Sequence, residues 1–177
     1  EYAISSTLTN ENYDITFVSN NLSITKKPIT ITADSKTKVY GESDPELTYS
    51  ITTGTLENGD VLAGELTRVS GEDAGEYAIT STLSNDNYDI TFVSNNLSIT
   101  KKPIIITADS KTKVYGDDDP ELTYSITTGD LESGDVLAGS LTRAPGEDAG
   151  EYAITSTLSN DNYDITFVSN NLSITKK

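Results

Sequence analysis

Glu42, Asp44 and Glu46 sit at alternate positions in a turn-rich stretch, and the pattern returns as Asp117, Asp119 and Glu121. Carboxylates grouped in a loop are the hard oxygen donors that a calcium ion takes, about six to eight at a time. Asp44, Glu46, Asp119 and Glu121 are therefore the candidate metal ligands, with calcium the only cofactor the sequence suggests. Against this, the D-x-D-x-D-G spacing of a calcium loop is absent, and a solvated acidic turn explains the same residues. Two carboxylates also suffice for glycoside hydrolysis. Near-identical copies of one active site along one chain are a poor arrangement for an enzyme, and none is expected.

Other side chains invite chemistry of binding or modification. Tyr40, Tyr49, Tyr77 and Tyr88 recur in each copy and would either line a sugar-binding surface or fill a small core that lacks Trp. The core reading is preferred. Asn96-Leu97-Ser98 is an N-glycosylation sequon that recurs at Asn21 and Asn171. Lys36 and Lys38, on a strand, leave room for an intramolecular Lys–Asn cross-link that would release one ammonia. Asp73-Ala74-Gly75-Glu76-Tyr77 matches the D-x-G-x-Y of a tyrosine corner, in which the phenol bonds back to the backbone before a strand. A plain turn is the alternative.

The residues that are missing narrow the field. There is no Cys and no His, hence no zinc finger, no thiol nucleophile and no Ser-His-Asp triad. A disulfide scaffold is excluded as well. The 28 acidic residues outweigh 12 basic ones for a net charge of −16, which repels phosphate backbones and anionic lipid heads. Nucleic acid is not an expected partner. No apolar run is long enough to span a bilayer. The chain opens on Glu1-Tyr2-Ala3-Ile4 without a starting Met, as an excerpt of a longer protein would.

An internal repeat organises the elements that carry these residues. Residues 28–102 and 103–177 differ only at Thr30/Ile105, Glu42/Asp117, Ser43/Asp118, Thr55/Asp130, Asn58/Ser133, Glu65/Ser140, Val69/Ala144 and Ser70/Pro145, so 67 of 75 positions are identical. Residues 1–27 match 76–102 except at Ser5/Thr80, Thr9/Ser84 and Glu11/Asp86. The expected domains are a C-terminal repeat fragment (1–27) and two complete β repeats (28–102 and 103–177). A unit of this size holds a small core of its own, unlike a short solenoid repeat.

Within a copy, period-two alternation predicts strands. They fall around Ile29–Ala33, Leu47–Thr52, Tyr77–Ser81, Tyr88–Val93 and Leu97–Ile99, with Leu47–Thr52 the most regular. One face of each is apolar and the other mostly Thr or Ser, as when a sheet packs on one side. Turn signals lie between them at Tyr40-Gly41, Asp44-Pro45, Asn58-Gly59-Asp60, Ser70-Gly71 and Asn95-Asn96. Asn58–Gly64 has room for one helical turn capped by Asp60. The fold class is all-β: tandem small sandwich-like domains, Ig-like or related, joined by short linkers.

Lys38-Val39-Tyr40-Gly41, Asp44-Pro45-Glu46-Leu47-Thr48-Tyr49, Gly71-Glu72-Asp73-Ala74-Gly75-Glu76-Tyr77 and Asn87-Tyr88 together resemble the MBG domain family. The likeness repeats from Tyr115-Gly116-Asp117 onward and covers the whole chain. These are mostly-β domains repeated in tandem in large prokaryotic surface proteins and adhesins. The resemblance implies an extracellular, cell-surface module with a spacer or adhesion role and transfers no catalytic residue.

The expected function is thus a structural spacer, stalk or filament-forming segment of an adhesin-like surface protein. The alternative is a glycan- or protein-binding module repeated along the stalk. The expected partners are neighbouring repeats of the same or an identical chain, with a surface glycan or protein as further ligand. Pro103 and the extended Thr100–Lys102 link favour a semi-rigid joint. Residues 1–27 lack the strands against which they should pack, so a neighbour is expected to complete them.

Overall fold

The computed structural model describes residues 1–177 and contains strands and no helix. The short strands β1 (Tyr2–Ala3) and β2 (Asn21–Leu22) come first. The first full copy carries β3 (Lys27–Ala33), β4 (Lys36–Val39), β5 (Tyr49–Thr53), β6 (Leu66–Arg68), β7 (Gly75–Ser81), β8 (Tyr88–Val93) and β9 (Asn96–Thr100). The second repeats them as β10 (Lys102–Ala108), β11 (Lys111–Val114), β12 (Tyr124–Thr128), β13 (Leu141–Arg143), β14 (Gly150–Ser156), β15 (Tyr163–Val168) and β16 (Asn171–Thr175).

Each copy builds two small mixed sheets, in the orders β5-β3-β8 and β4-β9-β7-β6 for the first. The first two strands of a copy lie beside its last two, each pair in its own sheet. β3 runs parallel to β8, with Ile29 opposite Ile90 and Ile31 opposite Phe92. β4 runs parallel to β9, from Lys36 opposite Leu97 to Val39 opposite Thr100. The chain passes from one sheet to the other within Asp34–Ser35. A bulge between Thr30 and Ile31 shifts the β3–β5 register.

The core follows the alternation. Ile29, Ile31 and Ala33 of β3 are buried, as are Ile79, Tyr88, Leu97 and Ile99, while the intervening Thr and Ser residues face water or half-face it. Ile51, Leu56, Leu62, Leu83, Ile90 and Phe92 pack around Ile29, Ile31 and Tyr88. The second copy repeats this around Ile104, Ile106 and Tyr163, with one addition: Tyr40 of the first copy joins that cluster.

Two expectations need correction, and one strand was not expected. The strand predicted from Leu47 starts at Tyr49, lies at a sheet edge, and leaves Tyr49 37% exposed. Ile51 alone of its apolar residues belongs to the core cluster. The helical turn at Asn58–Gly64 does not form, because the Asp60 carboxylate accepts the Tyr88 hydroxyl at 2.6 Å instead of capping a helix. β6, only three residues long, carries too little alternation to be read from sequence.

Residues 1–26 pair with one another through Tyr2–Leu22 and Ala3–Asn21. Leu22 and Ile24 are 56% and 69% exposed, whereas their counterparts Leu97 and Ile99 are buried. The strand neighbours that bury Leu97 and Ile99 are β4 and β7; segment 21–25 keeps β1, the two-residue counterpart of β7, and has no strand in the place of β4.

Candidate functional site at the joint between repeats

Asp44, the first of the metal candidates, lies in an ion-pair clamp. Lys38 extends from β4 as a buried side chain and places its Nζ 2.7 Å from Asp44 Oδ1 and 2.6 Å from Glu72 Oε2. Arg68, on β6, donates from Nε to Asp44 Oδ2 at 2.6 Å and from Nη2 to Asp44 Oδ1 and Glu72 Oε1. Its Nη1 donates to the carbonyls of Val69 and Gly71, and its guanidinium lies 5.1 Å over the Tyr77 ring. The hydrogen bonds from Arg68, then those from Lys38, hold the Asp44 carboxyl down at about 2. Burial pulls the Lys38 amine down, but its bonds to Asp44 and Glu72 outweigh that and keep it above its ordinary value.

Two cations and two carboxylates thus cancel within the clamp. The second copy repeats it with Lys113, Asp119, Arg143 and Glu147. Glu46 and Glu121 are exposed and take no part, and no three acidic side chains converge at either place. The oxygens offered to calcium on Asp44 and Asp119 are occupied by the chain's own cations. Lys38 likewise meets carboxylates and not the Asn amide that an ammonia-releasing cross-link requires. Asn96 and Asn171 open β9 and β16 with exposed side chains, and Asn21 donates to Glu1 Oε2 at 3.0 Å.

The tyrosines divide into separate tasks. Tyr77 donates its hydroxyl to the Asp73 carbonyl at 2.8 Å, which is the tyrosine corner. Gly71, at φ +144°, packs against that ring where a Cβ would collide with it. Tyr88 is buried, donates to Asp60 and accepts the Glu57 N–H at 2.8 Å. Tyr163 repeats this with Asp135 and Glu132. Burial and the Asp135 bond push the Tyr163 phenol up to about 12.

Tyr40 does something its position in the sequence does not announce. The parallel pairing of β4 with β9 carries it to the end of the copy, where its N–H donates to the Thr100 carbonyl at 2.9 Å. Only Lys101 separates β9 from β10, so Tyr40 is delivered onto the next copy. Its ring meets Tyr163 edge-on, with centroids 5.5 Å apart and planes at 74°. Its hydroxyl donates to Asp135 Oδ2 at 3.0 Å, so one carboxylate accepts both phenols. Burial, then that bond, raises the Tyr40 phenol above its ordinary value.

Gly41 follows at φ +87°, with the Glu132 side chain in the place its Cβ would take. A second patch completes the joint: Asn162 Oδ1 accepts the Ala74 N–H at 2.8 Å, and Asn162 Nδ2 donates to Asp73 Oδ1 at 2.9 Å. Edge-to-face rings, bonds to a carboxylate and a bidentate Asn fix an orientation, since each needs its own geometry. The sequence read Tyr40 as core and Tyr40-Gly41 as a turn signal; both are true, but the core belongs to the next copy.

The model of the MBG domain (YGX type) matches residues 29–98 and 104–173. Each matched stretch contains a Tyr-Gly-x triplet, Tyr40-Gly41-Glu42 and Tyr115-Gly116-Asp117. Among curated proteins no match is found.

Proposed function

Because the chain belongs to the MBG domain family, with two members of the YGX type in tandem, we propose that it is a spacer segment of an extracellular surface protein, which holds its repeats in a fixed order and orientation. The observation that carries this reading is the joint. A one-residue link, a shared phenol–carboxylate contact and the Asn162 bridge together restrain bending and twisting between the copies. Copies identical at 67 of 75 positions suit a part whose task is length, since a unique binding site would not need repeating. In this reading the segment is non-catalytic, and the acidic clamps stabilise each copy without holding a metal.

The family's character supports an adhesin-like setting at the cell surface. An antibody raised against the chain should label intact source cells; labelling only after permeabilisation would overturn the surface assignment.

One observation favours a second reading, a ligand-binding module. Tyr49 and Tyr124 present part-exposed rings at equivalent places on the edge strands β5 and β12. A glycan array probed with the chain separates the two, because a pure spacer gives no signal that Tyr49→Ala with Tyr124→Ala removes.

A further inference from the structure

The joint has two halves, and each occurs once more in the chain without its counterpart. The donor half is a Tyr-Gly turn. At the junction Tyr40 is half-buried and Gly41 touches Glu132, but the equivalent Tyr115 is 50% exposed and Gly116 has open space around its Cα. The receptor half is the cluster Glu132, Asp135, Asn162 and Tyr163. Its equivalents in the first copy, Glu57, Asp60, Asn87 and Tyr88, line a cleft together with Ile24–Lys27. In the second copy the corresponding place holds the Tyr40 ring.

We propose that the cleft formed by Glu57, Asp60, Asn87, Tyr88 and Thr25 is a receptor for the Tyr-Gly turn of another repeat of this kind. Its ligand is a strand of the Lys-Thr-Lys-Val-Tyr-Gly type, as at Lys36–Gly41. That strand lies parallel to residues 22–25, as β4 lies against β9, and covers Leu22 and Ile24, which are now exposed. Its tyrosine N–H bonds to the Thr25 carbonyl, as Tyr40 bonds to Thr100. Its ring meets Tyr88 edge-on, and its hydroxyl donates to Asp60 Oδ2, which already accepts Tyr88.

The chemistry is selective on three counts. The phenol needs both an aromatic edge and a carboxylate that is already aligned. The next residue must reach positive φ beside Glu57, so glycine is required there. The strand must be free to extend along the open edge of residues 22–25 and bond to it through its main chain, the mode by which extended segments complete a sheet.

The inference rests on the spacer reading only for why another repeat should lie nearby; the recognition itself is local. It is tested on the intact chain with a free peptide, Ser-Lys-Thr-Lys-Val-Tyr-Gly-Glu-Ser, which copies residues 35–43. The tethered joint forms at an effective concentration on the order of 1 mM, so the free peptide should bind at about that concentration or below, a range that amide chemical shifts follow. The expected result is saturable shifts at Asp60, Asn87, Tyr88 and residues 22–25, with Tyr163 and Asn162 unmoved because their site is filled. Peptides with Tyr→Ala or Gly→Val should bind about tenfold more weakly or worse. No saturable shift up to about 10 mM, or equal binding by the Tyr→Ala peptide, overturns the proposal. Either failure leaves the surface-spacer reading standing, since that is decided on intact cells.

Discussion

Arg68 and Arg143 are the only arginines in the chain, and each gathers an Asp and a Glu that the sequence places 24 residues before it and 4 after it. With Asp44 and Asp119 both held at about 2, against about 3.9 for an unfolded Asp, the sign is settled. Their contribution is complete above roughly pH 4 and is lost as pH falls through 2. Melting temperature should therefore stay level from neutral pH down to about 4 and fall steeply from there to about 2. Arg68→Gln with Arg143→Gln should lower the plateau and flatten the fall; an unchanged profile would mean that the clamp does not act as a unit. Tyr77→Phe removes only the bond to the Asp73 carbonyl and should cost about 0.5–1.5 kcal/mol in urea unfolding of that copy. The tyrosine corner was legible because all its parts lie within five residues. The clamp was not, since a carboxylate's partner 24 or 34 residues away leaves no local mark. A lone arginine in an acidic repeat was the one signal that pointed to it.

At the scale of strands, alternation told where they lie better than how deep they lie. Tyr49–Thr53 alternates more regularly than any other strand and is an edge; Lys27–Ala33, with the same Thr pattern, is the centre of its sheet. Alternation records that one face meets water, which holds for both. Depth depends on which strands flank a strand, and the parallel pairs β3–β8 and β4–β9 bring together residues about 60 apart in sequence. Leu97→Ala, at a fully buried site on the strand between β4 and β7, should cost about 2–5 kcal/mol. Tyr49→Ala should cost clearly less because its ring already meets water. Equal losses in chemical denaturation would contradict the edge placement of β5. In so small a unit the larger loss approaches the whole stability, so Leu97→Ala should leave the first copy largely unfolded beside an intact second.

For the molecule as a whole, orientation depends on the joint. Tyr40→Ala removes both the ring contact and the phenol–Asp135 bond, and X-ray scattering should show a broader spread of lengths and a lower mean. Tyr115→Ala deletes the same residue where nothing is docked and should leave the profile unchanged. The phenols also make the joint sensitive to alkali. Tyr163 titrates at about 12 in the folded chain, against about 10 unfolded, so its stabilisation is intact below 10 and lost as pH rises through 12. The repeat, its period and the short link were plain in the sequence. The docking of Tyr40 was not, because nothing local distinguishes a tyrosine that fills its own core from one that fills its neighbour's.

The parallel pairing of a copy's first two strands with its last two bears on what happens when the two ends of the chain are pulled apart. Tension enters a copy along β3 and β4 and leaves along β8 and β9, which lie beside them and point the same way. The strands are then dragged lengthwise past each other. The hydrogen bonds of each ladder bear the load together and must fail nearly together, where a hairpin pulled open at one end would lose them singly. Extension is thus resisted in its strongest direction by the strands that connect each copy to the next.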